Sequence, residues 1–301
     1  MKNKIKNISV YLSCLILLVF ISTRLNAQDP AELSTESTET KIKPVKNTFE
    51  SAVLLDNQTV IVPIKGTFEM DIQHRFGTIN NGAKDLFGLF APSNIRIALS
   101  YVPIKNLLVG AGITKDRMQT DIHLKYALIK QTPTKFPVSI SYFGNMVIDG
   151  RDGSYFRYNV HRFSYFNQLI IARKITEKLS VQVAPSLSWF NNIEGYVNSN
   201  GDIKNKMKNE HIAISTMIRY KLSESTALNF GYDQALTAHP TNNPHPNLCF
   251  GFEKTTSAHN FQIFAGNYYG IVPQSNNLFN QNDYMKSQYV LGFNISRLWN
   301  Y

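Results

Sequence analysis

Asn94-Ile95-Arg96-Ile97-Ala98-Leu99-Ser100-Tyr101 decides the fold. Ile95, Ile97, Leu99 and Tyr101 fall on one side of an extended chain, and Asn94, Arg96, Ala98 and Ser100 on the other. Successive strand side chains face opposite sides of a sheet, so the segment has one apolar and one polar face. Leu179 to Trp189 repeats the pattern, with Leu179, Val181, Val183, Leu187 and Trp189 set against Ser180, Gln182, Ala184, Ser186 and Ser188. The alternation runs through most of the chain. Following a leader that reads as an export signal, it predicts an all-β, antiparallel, up-and-down transmembrane β-barrel in an outer membrane.

Residues 1–27 carry the marks of a signal peptide: Lys2, Lys4 and Lys6, then the apolar run Ile8 to Ile21, then Ala27 at a cleavage site. Residues 28–46 are rich in Ser, Thr, Glu and Lys, with Pro30 and Pro44, and predict a disordered periplasmic lead-in. The barrel domain is set at 47–301. Within it, Asn47 to Val62 reads either as a short strand or as a plug-like segment.

About twelve strands follow, at 64–76, 92–103, 106–115, 118–130, 136–148, 158–173, 177–190, 208–221, 225–236, 245–254, 258–268 and 286–300. Their connections alternate in length. Short turns at Pro103 to Asn106, Gln131 to Lys135, Ile175 to Glu177, Ser223 to Ser225 and Thr255 to Ser257 alternate with longer polar loops. Barrels of this class have short periplasmic turns and long outer loops, which places both ends of the barrel in the periplasm. Only Lys115-Asp116-Arg117 is a short turn on the long-loop side.

The 301 residues carry 31 Lys and Arg against 21 Asp and Glu, a formal charge of +10. Lys2, Lys4, Lys6 and Arg24 lie before residue 28, where there is no acid, which leaves +6 for the remainder. Mild, scattered basicity suits anionic lipid head groups or anionic solutes and excludes nucleic acid as a partner. The two cysteines are Cys14 and Cys249, so the exported chain has no disulfide or cysteine metal cluster. No cofactor is implied.

The inward faces would carry function. Glu69, Asp71 and Arg75 share one face of the first strand, Arg96 lies on the second, and Asp121, His123 and Lys125 lie on the fourth. These seven are the candidate lumen or constriction residues. They form either a rigid salt-bridge lattice or a charged filter for a solute. His211 and Arg219 lie on the eighth strand.

An enzyme check gives no catalytic residues. The positions two after His74, His123, His161, His211, His239, His245 and His259 hold no serine, and Ser199-Asn200-Gly201 has Val197 where a lipase motif would have its histidine. Asp149, Asp152 and His161 are protease candidates by position only. His239 and His245 lack a third metal ligand at a suitable spacing. The apolar loop Gly77 to Phe90 reads as folding back into the barrel mouth, touching a partner, or packing on the rim as a short helix.

His74-Arg75-Phe76-Gly77, Asp85-Leu86-Phe87-Gly88, Ile95 to Tyr101, Leu108 to Gly112 and Lys125-Tyr126 resemble, in that order, a Bacteroidota family of outer-membrane barrels known as a domain of unknown function. The resemblance runs from Phe49 to the C-terminus. It implies a barrel and a membrane location, and no activity. The expectation is a non-enzymatic barrel, either a narrow pore for small solutes or a structural barrel. The alternatives are a partner-binding scaffold of an envelope machine and a surface lipid hydrolase or protease. Expected partners are outer-membrane lipid, the assembly machinery that would read the alternating final strand Leu291 to Tyr301, and an envelope protein.

Overall fold

The computed structural model describes residues 43–300. The signal-like segment, residues 28–42 of the lead-in and Tyr301 lie outside the described residues. Two short strands come first, β1 (Val53–Leu54) and β2 (Asn57–Gln58). The wall then forms from β3 (Thr67–Thr78), β4 (Asn94–Ile104), β5 (Leu107–Thr114), β6 (Gln119–Ile129), β7 (Ser139–Ile148), β8 (Phe163–Lys174) and β9 (Leu179–Phe190). β10 (Gly195–Val197) and β11 (Ile203–Asn205) make a separate hairpin in a long loop. β12 (Glu210–Ser223), β13 (Thr226–Ala235), β14 (Asn247–Thr255), β15 (His259–Gly266) and β16 (Val290–Asn300) complete the wall.

Twelve strands close into one antiparallel barrel, each paired with its sequence neighbours and β16 pairing back onto β3. Closure leaves no strand edge, which a bilayer requires of any β structure. No helix among the described residues is long and apolar enough to cross a membrane.

The alternation translates directly into two surfaces. In β6, Thr120, Ile122, Leu124, Tyr126 and Leu128 face out and are exposed, while Gln119, Asp121, His123, Lys125 and Ala127 are buried inside. Leu99, Ile113 and Ile263 are each more than 60% exposed on the outer wall. A continuous apolar belt of this kind is a liability in water and a match for lipid tails. Arg297, the one charged residue on the outer face of β16, lies over the Trp299 ring at 4.8 Å near the short-turn end, where a long cationic side chain can reach the polar interface.

The expected sixth and twelfth strands start later than the alternation suggests, because the short 3-10 helices Asn159–Arg162 and Tyr284–Lys286 precede β8 and β16. The apolar loop between β3 and β4 does not enter the mouth. It forms a 3-10 helix, Ile79–Asp85, and leaves Leu86, Phe87 and Phe90 exposed. Leu89 joins Phe76, Phe261, Ile263, Leu291 and Phe293 around a shallow apolar depression on the outer wall. Gly77 and Gly88 make this contact possible: Gly88 adopts φ +84°, and a Cβ there would lie 2.3 Å from the Gly77 oxygen.

Candidate functional site: a lumen filled from both ends

Thr48 to Val62 lies inside the barrel. β1 and β2 pair as a hairpin, Val53 with Gln58 and Leu54 with Asn57, with Leu55-Asp56 at its tip. Thr59 extends the pairing by donating its N–H to the Ala52 oxygen (2.9 Å). A two-stranded hairpin is marginal alone and exposes backbone groups that a dry interior would leave unpaired. Wall side chains supply the partners. Lys125 Nζ donates to the Ala52 and Ile61 oxygens (2.8 and 3.3 Å). Gln262 donates to Val53 O (2.9 Å), Gln182 to Gln58 O (2.8 Å) and Ser141 to Val60 O (2.9 Å).

The tip is held most closely. Leu55 has φ +57°, a left-handed conformation that is costly for a bulky residue. Its N–H donates to Gln262 Oε1 (2.8 Å), and its carbonyl accepts from Asn294 Nδ2 (2.6 Å) and Arg75 Nη2 (3.2 Å). The next residues are fixed by Asn57 Nδ2 donating to Asp233 (3.1 Å) and by Asp56 Oδ2 accepting from Asn276 Nδ2 (3.0 Å). The apolar side chains of the segment also find partners. Phe49, Leu54, Leu55 and Val60 pack with Phe143, Phe166, Ile170 and Met217, which point inward from the wall.

Asn276 comes from the opposite end. The loop between β15 and β16 carries the helix α1 (Pro273–Phe279), whose Gln274, Ser275, Asn276 and Leu278 are buried. Pro273 opens the helix, where its missing N–H costs nothing. Gln274 Nε2 donates to Asn145 Oδ1 (3.1 Å), and Gln119 Nε2 to Ser275 Oγ (3.2 Å). The two insertions meet at Asp56 and Asn276. A cavity of about 320 Å³ remains at the long-loop end, and one of about 230 Å³ at the short-turn end, lined in part by Glu50, Glu69 and Asn260.

All seven residues singled out from the sequence are buried on the inner side of the wall: Glu69, Asp71, Arg75, Arg96, Asp121, His123 and Lys125. The structure divides them. Arg96, Asp121 and His123 form one cluster, with Arg96 Nη2 2.7 Å from Asp121 Oδ2 and His123 Nδ1 3.0 Å from the same oxygen. Gln73, Ser100 and Asn145 complete it. The cluster crosses β5, whose inward positions include Gly110 and Gly112. A Cβ at Gly110 would lie 2.5 Å from His123 Nε2, and one at Gly112 2.7 Å from Arg96 Nη2. The glycines make room for the network to lie against the wall. Arg75 and Lys125 instead hold the hairpin, and Arg75 also stacks on Phe264 with 4.4 Å to the ring centre. Glu69 faces the cavity at the short-turn end. Asp71 stands opposite Ala98 of β4 and Ser296 of β16.

Glu253 went unrecognised in the sequence. It pairs with Arg219 (2.6 Å), which lies 3.8 Å from Glu50 of the inserted segment. Burial pushes the Glu50 carboxyl above the usual range, against the opposing pull of Arg219. Asp56, Asp233, Gln262 and Asn294 were missed as well. Asp56, in the Leu55-Asp56 turn between Leu54 and Asn57, was a hairpin signal.

Of the protease candidates, Asp149 and His161 line the cavity at the long-loop end and Asp152 does not. Asp149 pairs with Arg151 (2.8 Å), Asp152 accepts the Ser154 N–H (2.9 Å) and His161 packs edge-on against Tyr158. His239 lies against His211 at 2.9 Å, whereas His245 faces Asp283 at 3.9 Å. No group of three or more metal-ligating side chains occurs among the described residues.

The chain belongs to the family described as Membrane bound beta barrel domain (DUF5777), which it matches over residues 49–299. It is therefore a membrane-bound β-barrel. No curated protein matches it. Among solved structures it is similar to the COG4313 outer membrane channel from Pseudomonas putida F1, at 12% identity and a TM-score of 0.47, covering 79% of this chain and 97% of that one. It is also similar to the NanC porin, at 9% identity and a TM-score of 0.46, covering 78% and 99%. The KdgM porin is similar at 9% identity and a TM-score of 0.44, covering 77% and 99%.

Proposed function

We propose that this membrane-bound barrel is a non-enzymatic outer-membrane channel for small solutes, closed at rest by its own segment Thr48 to Val62. One observation carries the reading: the segment's hairpin is held to the wall by wall side chains rather than by strand pairing with the barrel. Lys125, Arg75, Gln182, Gln262, Asn294 and Ser141 each reach a plug carbonyl. Bonds of this kind exchange for bonds to water at modest net cost, about 1 kcal/mol each for neutral pairs. A cavity on either side of the closure supports the same reading.

Conductance across a planar bilayer tests it. The full chain should be silent or open rarely, and a chain lacking residues 43–62 should show steady steps. Continued silence from a correctly folded, shortened barrel would defeat the channel reading. That result would favour a structural barrel, for which the apolar packing of Phe49, Leu54, Leu55 and Val60 speaks. The outward belt and the alternating β16 support insertion into outer-membrane lipid by the assembly machinery.

A further inference from the structure

We propose that the cleft at the long-loop end binds a small organic anion with a flat apolar body. The cleft, about 320 Å³, lies among the turn at 115–118, the loops 149–162 and 191–209, and α1. That volume is at the lower end of small-molecule sites.

Its charge is unbalanced. Arg117, Arg151, Arg162 and Lys206 line it against Asp149 and Glu194. Asp149 pairs with Arg151 (2.8 Å) and Glu194 with Lys206 (3.1 Å), so two positive charges are left over. Those two, Arg117 and Arg162, have no carboxylate within ion-pair distance among the described residues. Arg162 Nη1 donates to the backbone oxygens of Asp149 (2.9 Å) and Arg151 (2.6 Å), which orient the guanidinium without neutralising it. Its carbon also lies 4.6 Å from the Phe156 ring centre. Arg117 lies 4.6 Å from the Phe279 ring centre.

A guanidinium stacked on a ring keeps its N–H edge for a carboxylate or phosphate, which it can meet with two parallel bonds. The Arg117 backbone adds an independent sign. It adopts φ +54°, followed by Met118 at +48°, in a turn of non-glycine residues held by Gly150 N–H donating to Arg117 O (3.1 Å). Left-handed strain of this sort gathers at binding sites. The apolar lining is Phe190, Ile193, Met207 and Phe279, backed by the buried Leu278. Charge selects an anion, and the lining with its stacked rings selects a flat apolar body over a free inorganic ion.

As a statement about the transported solute this rests on the channel reading, whereas as a statement about binding it does not. Calorimetric titration of the folded full chain in a non-ionic detergent tests it, with phenyl phosphate as the probe. Saturable one-to-one binding is expected, weakened about tenfold or more in the double variant R117Q R162Q. Phe279→Ala should weaken phenyl phosphate and leave inorganic phosphate unchanged. Phenol should not bind. Retained heat-dependent gel mobility identifies folded variants, and Arg117→Lys, which keeps the charge but loses the fork, should fall between. No saturable binding, equal binding by the folded double variant, or inorganic phosphate binding as tightly as phenyl phosphate would each overturn the proposal. A silent plug-less barrel would defeat only the channel reading.

Discussion

The barrel interior and the cleft at its long-loop mouth treat positive charge in opposite ways. In the barrel interior, Arg75, Lys125 and Arg219 are fully or almost fully buried, and each is turned on the chain's own inserted segment. Toward the long-loop end, Arg117 and Arg162 are half-buried, rest on aromatic rings and face a water-accessible cleft. The residue types are alike. The difference is whether the protein itself fills the space in front of them. Where it does, a cation becomes an internal clamp on the inserted segment, and where it does not, a cation faces the cleft.

The comparison breaks most readily at Lys125. Replacing it with Met keeps the apolar stem and removes both donors to the Ala52 and Ile61 oxygens. Hydrogen bonds from a charged group are worth about 1.5–3 kcal/mol, and the relief of a buried ammonium offsets part of that. We expect the docked state to lose about 2 kcal/mol, roughly thirtyfold in the ratio of closed to open channels. Single-channel open probability measures it. No change would mean that Lys125 does not clamp the segment.

A smaller effect should follow pH. The Glu50 carboxyl is raised by burial in the docked segment and regains its ordinary value when the segment is released into water. The docked state therefore binds more protons, and docking weakens as pH rises from the ordinary glutamate value through the raised one. Openings should become more frequent over that window, and Glu50→Gln should flatten the dependence. Arg219, Glu253, Lys221 and Lys174 surround Glu50 and set the slope. A slope unchanged in Glu50→Gln would assign the titration to another group.

The mouth offers the mildest change. Glu194 is exposed and pairs with Lys206 across the hairpin loop. Its replacement by Gln should tighten phenyl phosphate binding about twofold at low salt, in keeping with a surface pair. Screening should erase the gain at high salt. Weaker binding would show that Glu194 positions Lys206 rather than competing with the anion.

The wall was legible because its two-residue period meets two different media, lipid outside and a polar interior, at nearly every strand. The order of long and short connections was legible for the same reason. The plug was not. Asn47 to Val62 touches a wall that is polar at Lys125 and Gln262 and apolar at Phe143 and Phe166, so its own sequence takes neither a strand nor a helix period. The clue lay in the wall. Phe143, Phe166 and Ile170 occupy inward positions, and an open aqueous lumen would leave such residues facing water. The seven charged candidates were visible as an inward-facing set. Their division into a wall-lying cluster and a plug clamp depends on Gly110 and Gly112, whose meaning emerges only when β4 and β6 flank β5. Arg117 and Arg162 lie in a turn and a loop, where no periodicity marks a side chain as facing a cleft.

Cys249 offers the most direct test. It is buried in the lumen, with Sγ 3.7 Å from Asp56 at the plug tip, and Cys14 lies outside the described residues. The measurement is the rate at which a small water-soluble maleimide labels Cys249 in barrels reconstituted in liposomes, with Cys14 replaced by Ser. Slow labelling of the full chain, fast labelling of the chain lacking residues 43–62 and an intermediate rate for Lys125→Met are the results expected of a plug that closes the lumen and moves. Equal rates in the full and shortened chains would contradict it.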